Sequence, residues 1–189
     1  MSRQIKIRRI QRLINEVYQR KEVAIYRKCF YSNGTDFFMD SKQTIKTSEK
    51  DIDAYYFFRW KILRKPFGQL LGSEKDDYEK KSFHLMMVNK SNDILAIGRI
   101  HIVNNESNPL AAQIRYMAVK NKCERLGFGT MILKSLEKYA IDNNIKIIFL
   151  NSRESAIKFY KKNGYQIINK AHTLYGTIKH WSMQKKIKD

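Results

Sequence analysis

The clearest patterning of apolar and polar positions lies in the middle of the chain. "FHLMMVNK", "ILAIGRIHIVN" and "AAQIRYMAVK" are β-rich runs separated by the turn-forming "SND" and "NESNP", and they predict three successive antiparallel strands. The period then changes. "GFGTMILKSLEKYA" spaces its apolar residues three and four apart, which predicts an amphipathic helix over about residues 127–143. Next, "IKIIFLN" reads as a buried strand, "ESAIKFYKKNG" as a helix closed by Gly164, and "YQIIN" and "IKHWSMQKK" as two final strands. Upstream, "QTIKT" is a short strand. Ser48 can cap a helix over roughly residues 49–64, ended by Pro66 and Gly68. The stretch "GSEKDDYEKKS" has no apolar period and is expected to be loop or a short solvated helix. Helices alternate with strands from about residue 42 onward, so the expected class is α/β (α+β).

The first 41 residues read as a separate element. Ile10, Leu13, Ile14, Val17 and Tyr18 fall at helical spacing among Arg8, Arg9, Arg12 and Arg20, a basic amphipathic helix. Two β-rich runs flanking Asn33-Gly34 then suggest a hairpin. The expected organisation is a basic extension over 1–41 and a main domain over 42–189.

Charge changes the picture of partners more than of fold. A formal net charge of +19 in 189 residues favours polyanions: nucleic acid, an acidic protein, anionic lipid or a phosphorylated cofactor. A merely lysine-rich composition explains the same number. Cys29 and Cys123 make no disulfide framework, and no zinc-type spacing of Cys and His occurs, so no metal site is expected. The N-terminus lacks the apolar core of a secretory signal, and no run of about 18 apolar residues occurs, which points to a cytoplasmic protein.

Candidate chemistry centres on "YMAVKNKCERLGFGT", a strand, a short loop and a helix start. Gly127 and Gly129 let backbone N–H groups approach a ligand, and the helix dipole favours an anion there. Arg125 and the Thr130 hydroxyl are placed to add charge and a hydrogen bond. The Walker and Rossmann glycine patterns are both absent.

This turn resembles the cofactor motif of the Gcn5-related N-acetyltransferase (GNAT) superfamily, Gln/Arg-x-x-Gly-x-Gly/Ala, with Glu124 in place of the first residue. "SAIKFYKKNGY" resembles a second motif of that superfamily through Ala156, Tyr160, Gly164 and Tyr165, with Arg153 where an Asn is frequent. "LNSRESAIKFY" and "GTIKHWSM" look most like a branch ending in Gly-x-x-His-x-x-Met, here Gly176, His180 and Met183.

The resemblance covers about residues 42–187. It implies a mixed, mostly antiparallel sheet splayed between the strands at 113–119 and 145–151, with helices around it. It implies acetyl-CoA as cofactor, its pantetheine arm on the backbone of Met117 and Val119 and its thioester carbonyl polarised by an N–H near Ala118. Arg125, Leu126, Gly127, Phe128, Gly129 and Thr130 would hold the pyrophosphate, and Asn151, Ser155 and Phe159 would complete the cofactor site. Tyr160 would be the general acid that protonates the departing thiolate. The acceptor would be an amine, on a small molecule or a protein, and a homodimer would fit the superfamily.

Other choices stay open. The general base is unassigned among His84, His101, His172, His180 and Glu154, with His180 and His84 favoured. In "FFRWKILRKPFG", Arg59, Trp60 and Arg64 either join the acceptor site, or Phe57 and Trp60 are core while the arginines are solvated. An acyl-homoserine lactone synthase type of enzyme, using an acidic acyl carrier protein, is one alternative. A nucleic-acid-associated binding protein is another.

Overall fold

The computed structural model describes residues 44–47, 51–103 and 110–187. The basic helix, the Asn33-Gly34 hairpin, the 1–41 extension and the Ser48 cap lie outside these residues. The elements are β1 (Thr44–Thr47), α1 (Ile52–Leu63), β2 (Ser82–Val88), β3 (Ile94–Val103), β4 (Ala111–Val119), α2 (Phe128–Asp142), β5 (Ile147–Arg153), α3 (Ile157–Lys162), β6 (Gln166–Leu174) and β7 (Ile178–Lys186). The seven strands form one mixed sheet in the order β1-β2-β3-β4-β5-β7-β6. Every neighbouring pair is antiparallel except β4 and β5.

The sheet is covered on both faces at its centre, which is why β3 is buried from Leu95 to His101 rather than alternating. Tyr55 of α1 packs with Met86, Val88, Ile97 and Ala118. Its hydroxyl donates to the Gly98 carbonyl at 3.2 Å. Ile132, Leu133, Leu136 and Ala140 of α2 are fully buried, as their three- and four-residue spacing requires. A Cβ on Gly98 would stand 2.7 Å from Ile132 Cγ2 and 2.9 Å from Leu136 Cδ1. Only glycine admits α2 this close to β3. The turn between β2 and β3 is held by Asn89, whose Oδ1 accepts from the N–H groups of Ser91 and Asp93.

Helix α1 begins at Ile52 behind Asp51 and closes at Leu63, before Pro66 and Gly68 as expected. Of the two readings of "FFRWKILRKPFG", the one with Phe57 in the core and the arginines solvated is corrected, because Phe57 is 52% exposed whereas Arg59 is fully buried. The stretch "GSEKDDYEKKS" is loop with a short 3-10 turn at Glu79–Lys81, as expected, and mostly exposed. Three of its acids nevertheless turn inward: Glu74 is buried, and Asp76 and Glu79 pair with buried arginines, while Asp77 is exposed.

Candidate functional site

The central geometric event is the parting of the two parallel strands. β4 and β5 pair only at Ala111–Ile147, Ala112–Ile148 and Gln113–Phe149. Beyond that point β4 stays with β3, and β5 stays with β7. A cleft of about 410 Å³ opens between them, lined by β4 from Gln113 to Val119, by Leu150 to Arg153, and by Tyr160. The expected splay between these two strands is therefore present.

A bulge in β4 lies along the cleft wall. Ile97 faces Ala118 and Arg99 faces Arg115, so Tyr116 and Met117 together oppose Gly98 alone. Tyr116 takes φ 55°, an uncommon conformation for a bulky residue, which the surroundings must hold. Met117 Sδ occupies the space a side chain at Gly98 would need, 2.6 Å from its would-be Cβ.

The Tyr116 ring is enclosed by guanidinium groups, with Cζ of Arg59, Arg99, Arg115 and Arg64 at 4.0, 4.9, 5.1 and 5.5 Å from its centroid. Its hydroxyl donates to Asp76 Oδ2 at 3.1 Å. Arg99 donates to both Asp76 oxygens, at 2.7 and 2.9 Å, and to Glu79 Oε1 at 2.7 Å. Arg59 donates to that same Glu79 oxygen at 2.6 Å. Burial raises the Asp76 pKa, but the Arg99 hydrogen bonds and charge, the Tyr78 N–H and Arg115 outweigh it and hold the carboxyl well below the usual range. This network ties α1, the acidic loop, β3 and β4 together around the bulge. The partners of this loop lie 20 or more residues away in sequence, so its charge pattern alone does not reveal them.

The cleft lining reaches Asn121 and Glu124 but does not include residues 125–130 or Phe159. Just beyond it, α2 starts without protection. Gly127 precedes it at φ 85°, with no side-chain cap and no acid in the first turn. Arg125 also takes a positive φ, 64°. Arg125, Leu126 and Gly127 are exposed, Gly129 and Thr130 are half-buried, and Phe128 is buried under the turn. A Cβ added to Gly127 would meet nothing within 4 Å. At Gly129 it would make ordinary contacts, 3.4 Å from Val119 and 3.5 Å from Phe159. Phe159 thus lies beside the glycine turn, linking α3 to the end of β4.

Tyr160 is 7% exposed, on α3, and lines the cleft. Its ring meets Phe159 and Tyr165 edge-on at 4.9 and 5.7 Å. Burial pushes its hydroxyl well above the ordinary phenol range. Asn151 and Ser155 are exposed cleft residues.

Of the candidate bases, only His172 and His180 line the cleft, stacked on each other at 4.8 Å. His180 Nδ1 lies 2.9 Å from the Ile178 carbonyl, and burial, with His172 and Arg153 nearby, lowers its pKa. His84 is outside the cleft, 2.9 Å from the Glu79 carbonyl and edge-on to Tyr55. His101 stacks on Tyr78 beneath the arginine network. Glu154 is exposed after β5 and is not a cleft residue. Met183 is core, and Cys123 is a free, half-buried thiol. No group of three or more His, Cys, Asp or Glu among the described residues could hold a metal ion.

Comparison with known proteins decides the family. Residues 44–165 match the model of the acetyltransferase (GNAT) family. The chain belongs to that family. It is accordingly an N-acetyltransferase, an enzyme whose acceptor is an amine. A relative, the uncharacterized N-acetyltransferase YjcF of Bacillus subtilis (strain 168), is 26% identical over 144 residues, covering 76% of this chain and 99% of YjcF. Among solved structures, a GNAT-family acetyltransferase from Staphylococcus aureus Mu50 superposes with TM-score 0.62 at 16% identity, over 78% of this chain and 100% of that one. An aminoglycoside 6'-N-acetyltransferase complexed with coenzyme A gives TM-score 0.63 at 14% identity, over 77% of this chain and 98% of that one. At such identities these structures share the fold. No helix among the described residues is long and apolar enough to cross a membrane.

Proposed function

We propose that the enzyme transfers an acetyl group from acetyl-CoA to an acceptor amine by direct attack within the cleft. The observation that carries this reading is the parting of β4 from β5, which leaves a backbone edge unpaired beside an uncapped helix start. Buried peptide groups seek partners, so an exposed strand edge in a cleft suits an extended, amide-bearing ligand. Acetyl-CoA supplies such an arm, a pyrophosphate and a thioester open to attack by an amine.

Strand alternation selects the backbone donors. Lys120 N–H donates to the Leu95 carbonyl at 2.8 Å, so Lys120 and, two residues back, Ala118 turn toward β3. Val119 then turns into the cleft, and Met117, in the bulge before Ala118, has no β3 residue of its own to pair with. We therefore assign the polarising N–H near Ala118 to Met117, with Val119 binding the pantetheine arm. Ala118 contributes by anchoring the wall.

The glycine turn fits a pyrophosphate. Gly127 is required by its positive φ and opens to solvent. Gly129 is not demanded by neighbouring protein atoms, which suits a close approach by a ligand. Arg125, Leu126, Phe128 and Thr130 complete the cradle, and Asn151, Ser155 and Phe159 border the arm.

Tyr160 stays protonated because of its burial, so it is a donor suited to a leaving thiolate. His180 is neutral near pH 7 because its pKa is lowered, and so is able to accept the amine's proton.

The test is calorimetric titration with acetyl-CoA at raised salt, with inorganic polyphosphate as the control for nonspecific anion binding. Saturable one-to-one binding that polyphosphate does not reproduce supports the reading. Absence of binding to folded protein would remove free CoA as donor and return weight to a carrier-protein donor.

A further inference from the structure

The cleft holds more positive charge than its neighbours neutralise. Arg59 and Arg99 lie behind the wall and have Asp76 and Glu79. Arg64 and Arg153 face the cleft, and no carboxylate among the described residues lies within ion-pair distance of either. Arg64 gives Nε–H to the Ser73 carbonyl at 3.1 Å, and its Cζ lies 5.5 Å from the Tyr116 centroid and 5.9 Å from that of Tyr175. Arg153 donates from one amino group to the Leu63 carbonyl at 3.3 Å, with Cζ 5.1 Å from the Phe67 centroid.

Each guanidinium is thus oriented by one carbonyl and by aromatic contacts, while other N–H donors remain. Arg153 is half-buried, and its pKa is lowered by that burial and by the charge of Arg64. Two like charges kept together at a partly dry wall cost stability unless an anion joins them. A planar fork with free donors binds carboxylate or phosphate with two hydrogen bonds. Among the described residues, the only acid in the cleft lining is the exposed Glu124, in the turn before α2.

We propose that the acceptor amine carries an oxyanion group, a carboxylate or a phosphate, which Arg64 and Arg153 bind at the α1 end of the cleft. This rests on the acetyltransferase reading of the cleft. It assigns the acceptor's class: amino acids or phosphorylated amines, and not polyamines or other purely cationic amines. Holding the anion there leaves the amine free to face the thioester, with His172 and His180 on the same wall.

The experiment uses the full chain saturated with CoA, so that the glycine turn is already occupied, at near-physiological salt. Matched probes, glycine against glycinamide and O-phosphoethanolamine against ethanolamine, are titrated while the arginine Nε–H resonances are followed by NMR. The expected result is saturable binding of an anionic probe at least about tenfold tighter than its neutral partner, with shifts at Arg64 and Arg153. Whichever pair shows the larger preference identifies carboxylate or phosphate. Arg153→Gln and Arg64→Gln should each abolish most of that preference and leave CoA affinity unchanged. Arg153→Lys, which keeps the charge but not the fork, should recover only part of it.

Equal binding of charged and neutral partners, a preference that survives in both Gln variants, or no saturable binding by either anionic probe overturns the proposal. In those cases CoA binding still stands. Failure of CoA itself to bind the folded chain is a separate outcome, which removes the free-CoA reading of the cleft and this inference with it.

Discussion

The two ends of the candidate site are built in opposite ways. At the α2 end, just beyond the cleft lining, the candidate binding groups are backbone: an open strand edge, a glycine at positive φ and an uncapped helix start, all within residues 117–130. At the α1 end they are side chains drawn from α1, the acidic loop, β3, β4, β5, β6 and β7, and most sit half-buried or deeper. A site of backbone groups tolerates change in side chains, provided the dihedral angles are kept. A site of charged side chains depends on every partner, because a buried charge left alone carries its full desolvation cost. The first arrangement suits a cofactor shared across a family, and the second suits an acceptor peculiar to one enzyme.

Mutation should expose this contrast most strongly at the arginine network. Arg99→Ala leaves Asp76 and Glu79 without their central partner, and we expect a loss of about 3–5 kcal/mol, read by urea denaturation. A loss under about 1 kcal/mol would show that the network is not what holds the bulge. Acid should attack the same end. His101 is depressed from its ordinary value to about 4 by burial and by Arg99 and Arg115, and His84 and His180 are also depressed. A depressed folded pKa means stability is full above the unfolded value of about 6.5 and falls as pH drops through the folded value. Melting temperature should therefore decline between about pH 6.5 and 4, by an amount that His101→Phe reduces. A flat profile in that window would contradict the burial of these rings.

Catalysis tests the middle of the cleft. Tyr160→Phe should lower kcat roughly 100-fold with acetyl-CoA affinity unchanged, if its hydroxyl is the acid. Equal losses in rate and affinity would mean that it packs α3 and does no chemistry. The smallest effect belongs to the backbone end. Gly127→Ala forces a side chain into positive φ and should cost about 1–2 kcal/mol, measured as stability without ligand and as CoA affinity with it. Unchanged values for both would show that the turn relaxes without consequence.

Legibility in the sequence followed the same division. The strands of the middle region and α2 appear where their periods place them, and Gly127 and Gly129 announce the turn because its backbone dihedrals leave a mark in adjacent residues. Gly164, at φ 89°, follows α3 as its spacing required. For Arg59, by contrast, the sequence left acceptor site and solvated face both open, and it is completely buried, while Phe57 on the same helix is exposed. The helical period names faces, but it does not say which face meets the sheet when both carry mixed residues. Tyr116 and Gly98 gave no warning of a bulge, since the mismatch exists only between paired strands. His172 lies eight residues from His180, and only the β6–β7 pairing stacks them.

What the sequence by itself determined is the order of elements, the glycine turn and the Tyr160 motif, all set by short-range periodicity and local dihedral demands. What the tertiary structure alone decided is the parting of β4 from β5, the enclosure of Tyr116 by four arginines, and the placing of Arg64 and Arg153 on one cleft. Those depend on residues far apart in the chain, whose charges and volumes act on one another only once the sheet has brought them near.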